Sequence, residues 1–212
     1  MDFICNYRLF RYNDLQEIIL DRLERELPSN LYYHNLKHTL DVITGVELIG
    51  NNEGLDKKDI LLLKTAALFH DSGHIIAYEN HEAHGAVLAK QYMPDFGYTP
   101  SEIQTVCRLI MSTKMPPRPS DILEKIMCDA DLDYLGRKDF IPVSDNLYRE
   151  LAERGLVGDK LEWNKIQIEF ITNHQYFTET ASKLREVNKQ EQVTRLDGLV
   201  NQEDINDRRM VN

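Results

Sequence analysis

The sequence predicts an all-α fold in a single domain. Three observations lead there. Apolar residues recur at helical spacing in almost every segment, no run alternates apolar and polar residues as a half-buried strand would, and the proline and glycine clusters are short turns. No repeat, low-complexity segment or glycine-rich phosphate loop breaks the pattern. A chain of 212 residues suits one domain with a sizeable core. That domain is expected over residues 1–200, followed by a polar tail over 201–212.

Asn13 is the expected cap of a first helix, with Gln16 at the capping-box position. Its apolar face is Leu15, Ile18, Ile19, Leu23 and Leu27, and Pro28-Ser29-Asn30 ends it. The second helix carries "YYHNLKHTLDV" and runs to "GNNEG". Asp56 starts "DKKDILLLKTAALFHDSGH", whose centre is apolar nearly all round and so predicts a buried helix. Its end delivers His70 and Asp71 out of the core. Asn80 is the expected cap of "HEAHGAVLAKQYM". "TPSE" combines a Thr cap, Pro at the first helical position and Glu three residues after the cap. After the rigid "MPPRPS" loop, Ser120 is expected to cap "DILEKIMCDADLDYLG", closed by Gly136. A shorter helix near 145–154 ends at Gly155, and a long helical stretch begins at Asp159. It breaks near "NHQYFTE", where Thr178 restarts it, and the polar end frays.

With 35 acidic against 25 basic residues, the net charge is −10. Such a surface repels polyphosphate backbones, which argues against nucleic acid as a partner. An anionic substrate would need positive charge supplied locally, for instance by a metal ion. Cys5, Cys107 and Cys128 are odd in number and lack a CxxC spacing, which suits a reducing compartment and disfavours a thiolate zinc site. The start does not read as a signal peptide, and no stretch nears the ~20 apolar residues of a membrane span. The expectation is a cytoplasmic protein with no membrane partner.

His34 and His38 stand four apart, so on a helix they share one face; two such histidines also occur as ordinary structural residues. His70 and Asp71 follow an apolar run. Burying that carboxylate is costly unless it is paired or bound to a metal, and His and Asp are common N and O ligands; capping of a turn is the structural alternative. "CDADLDYLG" adds Asp129, Asp131 and Asp133. An EF-hand loop would need Gly and Glu where Tyr134 and Phe140 stand, and a haloacid-dehalogenase-type nucleophile would need an alternating α/β chain. On a helix, Asp129 and Asp131 diverge by roughly 200°, so one faces a given pocket and the other faces solvent or a cation.

The ordered set H…HD…D resembles the HD-domain metal-dependent phosphohydrolase superfamily over roughly residues 30–140. The resemblance implies a helical bundle of the HD type in which His38, His70, Asp71 and Asp131 hold a divalent ion (Mn, Mg, Zn, Ni or Fe). "YHNLKHTLDV" and "AALFHDSGH" are similar to the YHNxxHxxDV and HDxxH segments of class I cyclic-nucleotide phosphodiesterases. By that likeness His34 is the general acid, His74 lies near the phosphate, Asn35 supports the ligands and Asp41 orients a histidine or caps a neighbour. Those enzymes have a much longer catalytic domain, and their purine-binding glutamine has no counterpart here. Another branch holds two metals through later histidines. His81 stands where the first of these lies, whereas Ser112 and Thr113 occupy the place of the second. His84 follows His81 in the same segment.

The expected activity is metal-dependent hydrolysis of a small-molecule phosphoester, a nucleotide or cyclic nucleotide, with His34 protonating the departing oxygen. Lys37, Lys114, Arg118, Arg137 and Lys138 are basic residues beside the motifs. Lys114 and Arg137, with His74 and His81, are the candidate substrate contacts, and His174, Tyr176 and Phe177 are candidates to line the pocket. About one tightly held ion per chain is expected. Two other readings are a diiron oxygenase on the same fold, disfavoured by Ser112 and Thr113, and a silent HD-like binding or signalling module, disfavoured by the full ligand set.

Overall fold

The computed structural model describes residues 2–210, with side chains described for 11–202. The described residues form α1 (Asp2–Glu26), α2 (Leu36–Asn52), α3 (Lys57–Phe69), α4 (His81–Tyr92), α5 (Pro100–Ser112), α6 (Ile122–Asp131), α7 (Phe140–Glu153), α8 (Lys160–Asn173) and α9 (Glu179–Met210). Short 3-10 turns lie at Ser72–Ile75, Met93–Phe96 and Asp133–Gly136. The fold is all-α, with no strand among the described residues. No helix among them is long and apolar enough to cross a membrane. The Cys5 side chain lies outside the described ones, as do residues 211 and 212 of the expected tail.

The chain divides into two compact units, Met1–Asp131 and Leu132–Asn212. In the first, α3 is the central helix, as its apolar sequence requires. Leu63, Ala66, Ala67, Leu68 and Phe69 are fully enclosed. They pack among Leu15, Leu23, Val46, Ile49, Val106 and Ile110 in the buried core, each large side chain contributing about 1.5–3 kcal/mol of transfer free energy. Gly45 sets a close approach between α2 and α6. A Cβ there would sit 3.1 Å from the Cβ of Ala130, so the end of α6 lies directly against α2.

Several helix starts follow the sequence reading. Asp56 accepts from the N–H groups of Lys58 and Asp59, and Thr99 and Glu102 form a reciprocal capping box. Others do not. Asn13 is inside α1, where preceding carbonyls already satisfy the local N–H groups, so neither it nor Gln16 caps a helix. Asn80 holds the N-cap position in a left-handed conformation (φ 55°), and its side chain makes no cap bond. Asp121 replaces Ser120 as the cap of α6, accepting from the Glu124 N–H at 2.9 Å. Ser120 instead donates to the Glu124 carboxylate.

In the second unit Asp159 caps α8, and Thr178 restarts the chain into α9 by accepting from the Ala181 N–H. The helix near 145–154 begins earlier, at Phe140, and α9 stays helical to Met210 where a frayed end was expected. The Trp163 indole N–H donates to Ser144, which donates to Gln167. Arg185 grips Asp133 with two N–H donors at 2.6 and 3.0 Å. His174 stands edge-on to Tyr176, and its backbone carbonyl accepts from the buried Lys189 ammonium.

Burial first, and the charge of Lys189 second, lower the His174 pKa from its ordinary 6.5 to about 4. The unfolded chain takes up a proton near pH 6.5 that the folded unit refuses until about pH 4. Stability from this group is therefore complete above pH 6.5 and falls as pH drops toward 4. Thermal unfolding across that window should show a steeper loss of Tm in the wild type than in His174→Gln. Parallel curves for the two proteins would remove His174 as the cause.

Candidate metal centre

Four pieces of the first unit carry the motif residues. Asn35 prepares the first. Its side-chain oxygen accepts from the N–H groups of Lys37 and His38, at 2.9 and 3.2 Å, and its amide donates to the Tyr32 carbonyl at 2.7 Å. It is thus the N-cap of α2 and the brace of the preceding turn, rather than a support standing behind the ligands. His38 lies in the first turn of the helix and His34 lies before the cap, so the two do not share a helix face as their spacing suggested. Their rings, 6.1 Å apart and nearly perpendicular, reach the same region because the chain bends at Asn35. Asp41 pairs with Lys37 at 2.6 Å on the outer side of α2.

The end of α3 supplies His70 and Asp71, and α6 supplies Asp131 as its last residue. The His70 Nδ1–H donates to the Ala67 carbonyl at 2.8 Å, which leaves Nε2 as a bare acceptor facing the cluster. The Nε2 atoms of His38 and His70 are 3.3 Å apart. Asp71 Oδ2 lies 3.1 Å from His70 Nε2 and 3.4 Å from His38 Nε2. Asp131 Oδ1 lies 3.1 Å from His38 Nε2 and 3.4 Å from His70 Nε2. His38, His70 and Asp71 are buried, and 19% of the Asp131 side chain is exposed.

Asp71 Oδ2 tests whether a cation fits. It is buried, stands close to two imidazoles, and has no hydrogen-bond partner among the described residues. A buried carboxylate oxygen in that state is costly, and a cation among these donor atoms would offset the cost. The electrostatics agree. Burial pulls the His70 pKa down, but Asp71 and Asp131 outweigh it and hold the ring's pKa well above its ordinary value. Burial pushes both carboxylates up, but the surrounding histidines outweigh it and hold them low. The cluster therefore calls for positive charge. His38, His70, Asp71 and Asp131 have the donor chemistry for a divalent ion, and Asp71 does not cap the following turn.

A second set adjoins the first through the other oxygen of Asp71. Oδ1 lies 3.4 Å from His81 Nε2, and His34, Asp71 and His74 also offer ligand atoms within 4.8 Å of one another. His74 stacks on His81 at 4.0 Å and lies 4.8 Å from the His34 ring. His81 is only 22% exposed at its side chain, so it belongs to the cluster rather than to the surface.

Other expected residues stand elsewhere. Lys114 donates to the Asn80 side chain at 3.2 Å, just before His81. Arg137 belongs to the second unit, where its guanidinium grips Asp139. His174, Tyr176 and Phe177 are in that unit too. Asp129 is fully buried, so it does not face solvent. The Ser112 and Thr113 hydroxyls are spent on carbonyls of their own helix.

Gly73 is a determinant the sequence reading passed over, although it sits inside "HDSGH". A Cβ on Gly73 would lie 1.9 Å from the His81 carbonyl and 2.7 Å from the Gly85 nitrogen. Only a bare Cα lets the turn after Asp71 lie against the start of α4, where His81 begins. Gly73→Ala should push these segments apart and weaken divalent-ion binding by about 10–100-fold, the usual scale for disturbed ligand orientation. Metal titration by calorimetry checks this; wild-type affinity in the variant would refute it.

Comparison with known proteins adds the context. Residues 35–133 match the HD domain family. A curated protein of Clostridium beijerinckii, named only as uncharacterized, is 32% identical over 102 residues, which span 46% of this chain and 62% of that relative. The chain thus matches less than two thirds of the relative's length. Among solved structures, a predicted HD superfamily hydrolase from an uncultured Thermotogales bacterium aligns with TM-score 0.55 and 22% identity, covering 88% of this chain and 91% of that one. Bacillus subtilis YpgQ in complex with ADP aligns with TM-score 0.64 and 19% identity, covering 91% and 95%. These likenesses establish the shared fold.

Proposed function

From the premise that this chain carries an HD domain at residues 35–133, we propose that it is a metal-dependent phosphohydrolase acting on a small phosphoester of the nucleotide class. The observation that carries this reading is that Asp71 Oδ2 and Asp131 Oδ1 each lie 3.1–3.4 Å from the Nε2 atoms of both His38 and His70. Those four residues would hold the ion. A divalent cation there supplies Lewis acidity toward a phosphoryl oxygen and lowers the pKa of a bound water toward neutrality.

The chain's own residues do the rest. The Ala67 carbonyl fixes the His70 tautomer, so Nε2 always faces the centre. His34, beside Asp71 but outside the four-residue set, gives its ring proton to the departing oxygen. His74, packed between the His34 and His81 rings, holds both in place. The nucleotide class draws support from YpgQ, which shares this fold and whose structure contains ADP. A cyclic nucleotide is the variant suggested by the phosphodiesterase-like motifs.

The test is metal analysis of the purified chain. It is followed by a screen of p-nitrophenyl esters, nucleoside mono-, di- and triphosphates and cyclic nucleotides, with Mn, Mg, Ni, Zn and Fe added in turn. Turnover that requires the ion and favours nucleotides is expected. Bound metal without turnover on any phosphoester would point to a silent module instead. One observation favours a second reading: the two oxygens of Asp71 face separate donor sets, as a two-ion oxygenase centre would need. Two stoichiometric irons with oxygen consumption would select it.

A further inference from the structure

A groove of about 460 Å³ opens in the first unit beside the last turn of α5, the following loop and the start of α6. Its charge is unusual for a chain of net −10. Arg108, Lys114 and Arg118 line it, against one acid, Glu124. Arg108 is already compensated, by Asp121 at 2.7 Å and by Glu124. Lys114 meets the neutral amide of Asn80, and exposed Arg118 makes no ion pair among the described residues. Two cations are therefore left to face the groove, beside Met111 and Met115, which are 39% and 50% exposed. Methionine walls adapt to an apolar or ring-bearing neighbour.

Two hydrogen bonds from the groove's lining reach residues next to the metal centre in the chain. Lys114 holds Asn80, the residue before His81, whose Nε2 is 3.4 Å from Asp71. The Cys128 thiol donates to the Ser112 carbonyl at 3.2 Å, and Cys128 precedes Asp131 by about one turn of α6.

We propose that this groove binds a second phosphate of the substrate through Lys114 and Arg118, which makes the preferred substrate a compound with two or more phosphates, of the nucleoside diphosphate kind. The proposal deepens the phosphohydrolase reading and rests on it for the position of the scissile phosphate. Arginine suits the role because its planar fork bonds two phosphate oxygens at once. The methionines would cover the less polar part of the molecule.

The test uses the full chain and inorganic pyrophosphate as the probe, titrated by calorimetry with and without a chelator. Wild type should bind it in both conditions, more weakly as salt rises. Arg118→Glu and Lys114→Glu should each weaken binding by about tenfold or more, with helical content and Tm retained. In turnover, the KM for a nucleoside diphosphate should rise in both variants relative to that for p-nitrophenyl phosphate. Wild-type pyrophosphate affinity in both variants overturns the groove, and so does loss of wild-type binding on chelation, which would place the anion on the ion alone. If no phosphoester is turned over while pyrophosphate binding persists in wild type and drops in the variants, the groove stands and the hydrolase reading falls.

Discussion

Asp71→Ala is expected to leave the purified chain without tightly held metal and to abolish phosphoester turnover, with the helical fold retained. Both oxygens of Asp71 face imidazole nitrogens. Oδ2 faces the His38 and His70 nitrogens and Oδ1 faces His81. Alanine removes an anion from a buried site and leaves His38 and His70 with Asp131 as their one remaining carboxylate in the four-residue set, a poorer environment for a divalent ion. A bound metal contributes several kcal/mol to charge stabilisation in the transition state, so the rate should fall by about 10³ or more. Asp71→Asn keeps the volume but not the charge and should also bind metal weakly. The core beneath is independent of the site: Leu63, Ala66 and Phe69 are enclosed by apolar neighbours, so circular dichroism and Tm should report a folded variant. Metal analysis and kcat/KM decide the matter. Full occupancy in Asp71→Ala would show that the convergence at Oδ2 is an accident of packing.

Much of this site could be read from residue order. An apolar helix that ends in His70-Asp71 announces a buried polar pair, since such groups are tolerated only with partners. The Thr99–Glu102 box and the Asp56 cap were legible because capping is local chemistry, complete within four residues. The Asn13 and Ser120 caps were misplaced for the complementary reason. A cap residue matters only where the helix begins; α1 already runs through Asn13, and Asp121, one residue on, takes the cap expected of Ser120. The i, i+4 spacing of His34 and His38 suggested a shared helix face, yet Asn35 stops the helix between them. The same pattern serves a helix and a turn entering one. Helical geometry separated Asp131 from Asp129 in direction but said nothing of surroundings, so the full burial of Asp129 was not foreseeable. Gly73 and Gly45 were invisible as determinants because what they permit is the approach of segments distant in sequence.

His34→Ala is expected to keep metal content near wild type and to lower kcat by roughly 10²–10⁴, the usual span for loss of a general acid. The reasoning starts from position. His34 lies ahead of the Asn35 cap, with its ring 6.1 Å from that of His38, and its ligand atom falls in the adjoining set with Asp71 and His74 rather than in that of His38, His70 and Asp71. Its charge is nevertheless felt by Asp71, so it stands where a proton donor beside the centre would stand. If proton donation is its task, the loss should shrink for substrates with good leaving groups such as p-nitrophenyl esters, because they need little protonation. His38→Ala should behave differently, losing metal and failing equally on all substrates. Two other roles make distinct forecasts. A bracing role, through the edge-on contact with Tyr33 at 4.7 Å, would lower Tm without dependence on leaving-group pKa. A ligand role, through the set of His34, Asp71 and His74, would cost metal in His34→Ala as it does in His38→Ala. Metal content, Tm and a leaving-group series on both variants separate the three, and equal metal loss in the two would make His34 a ligand and leave the reaction without this acid.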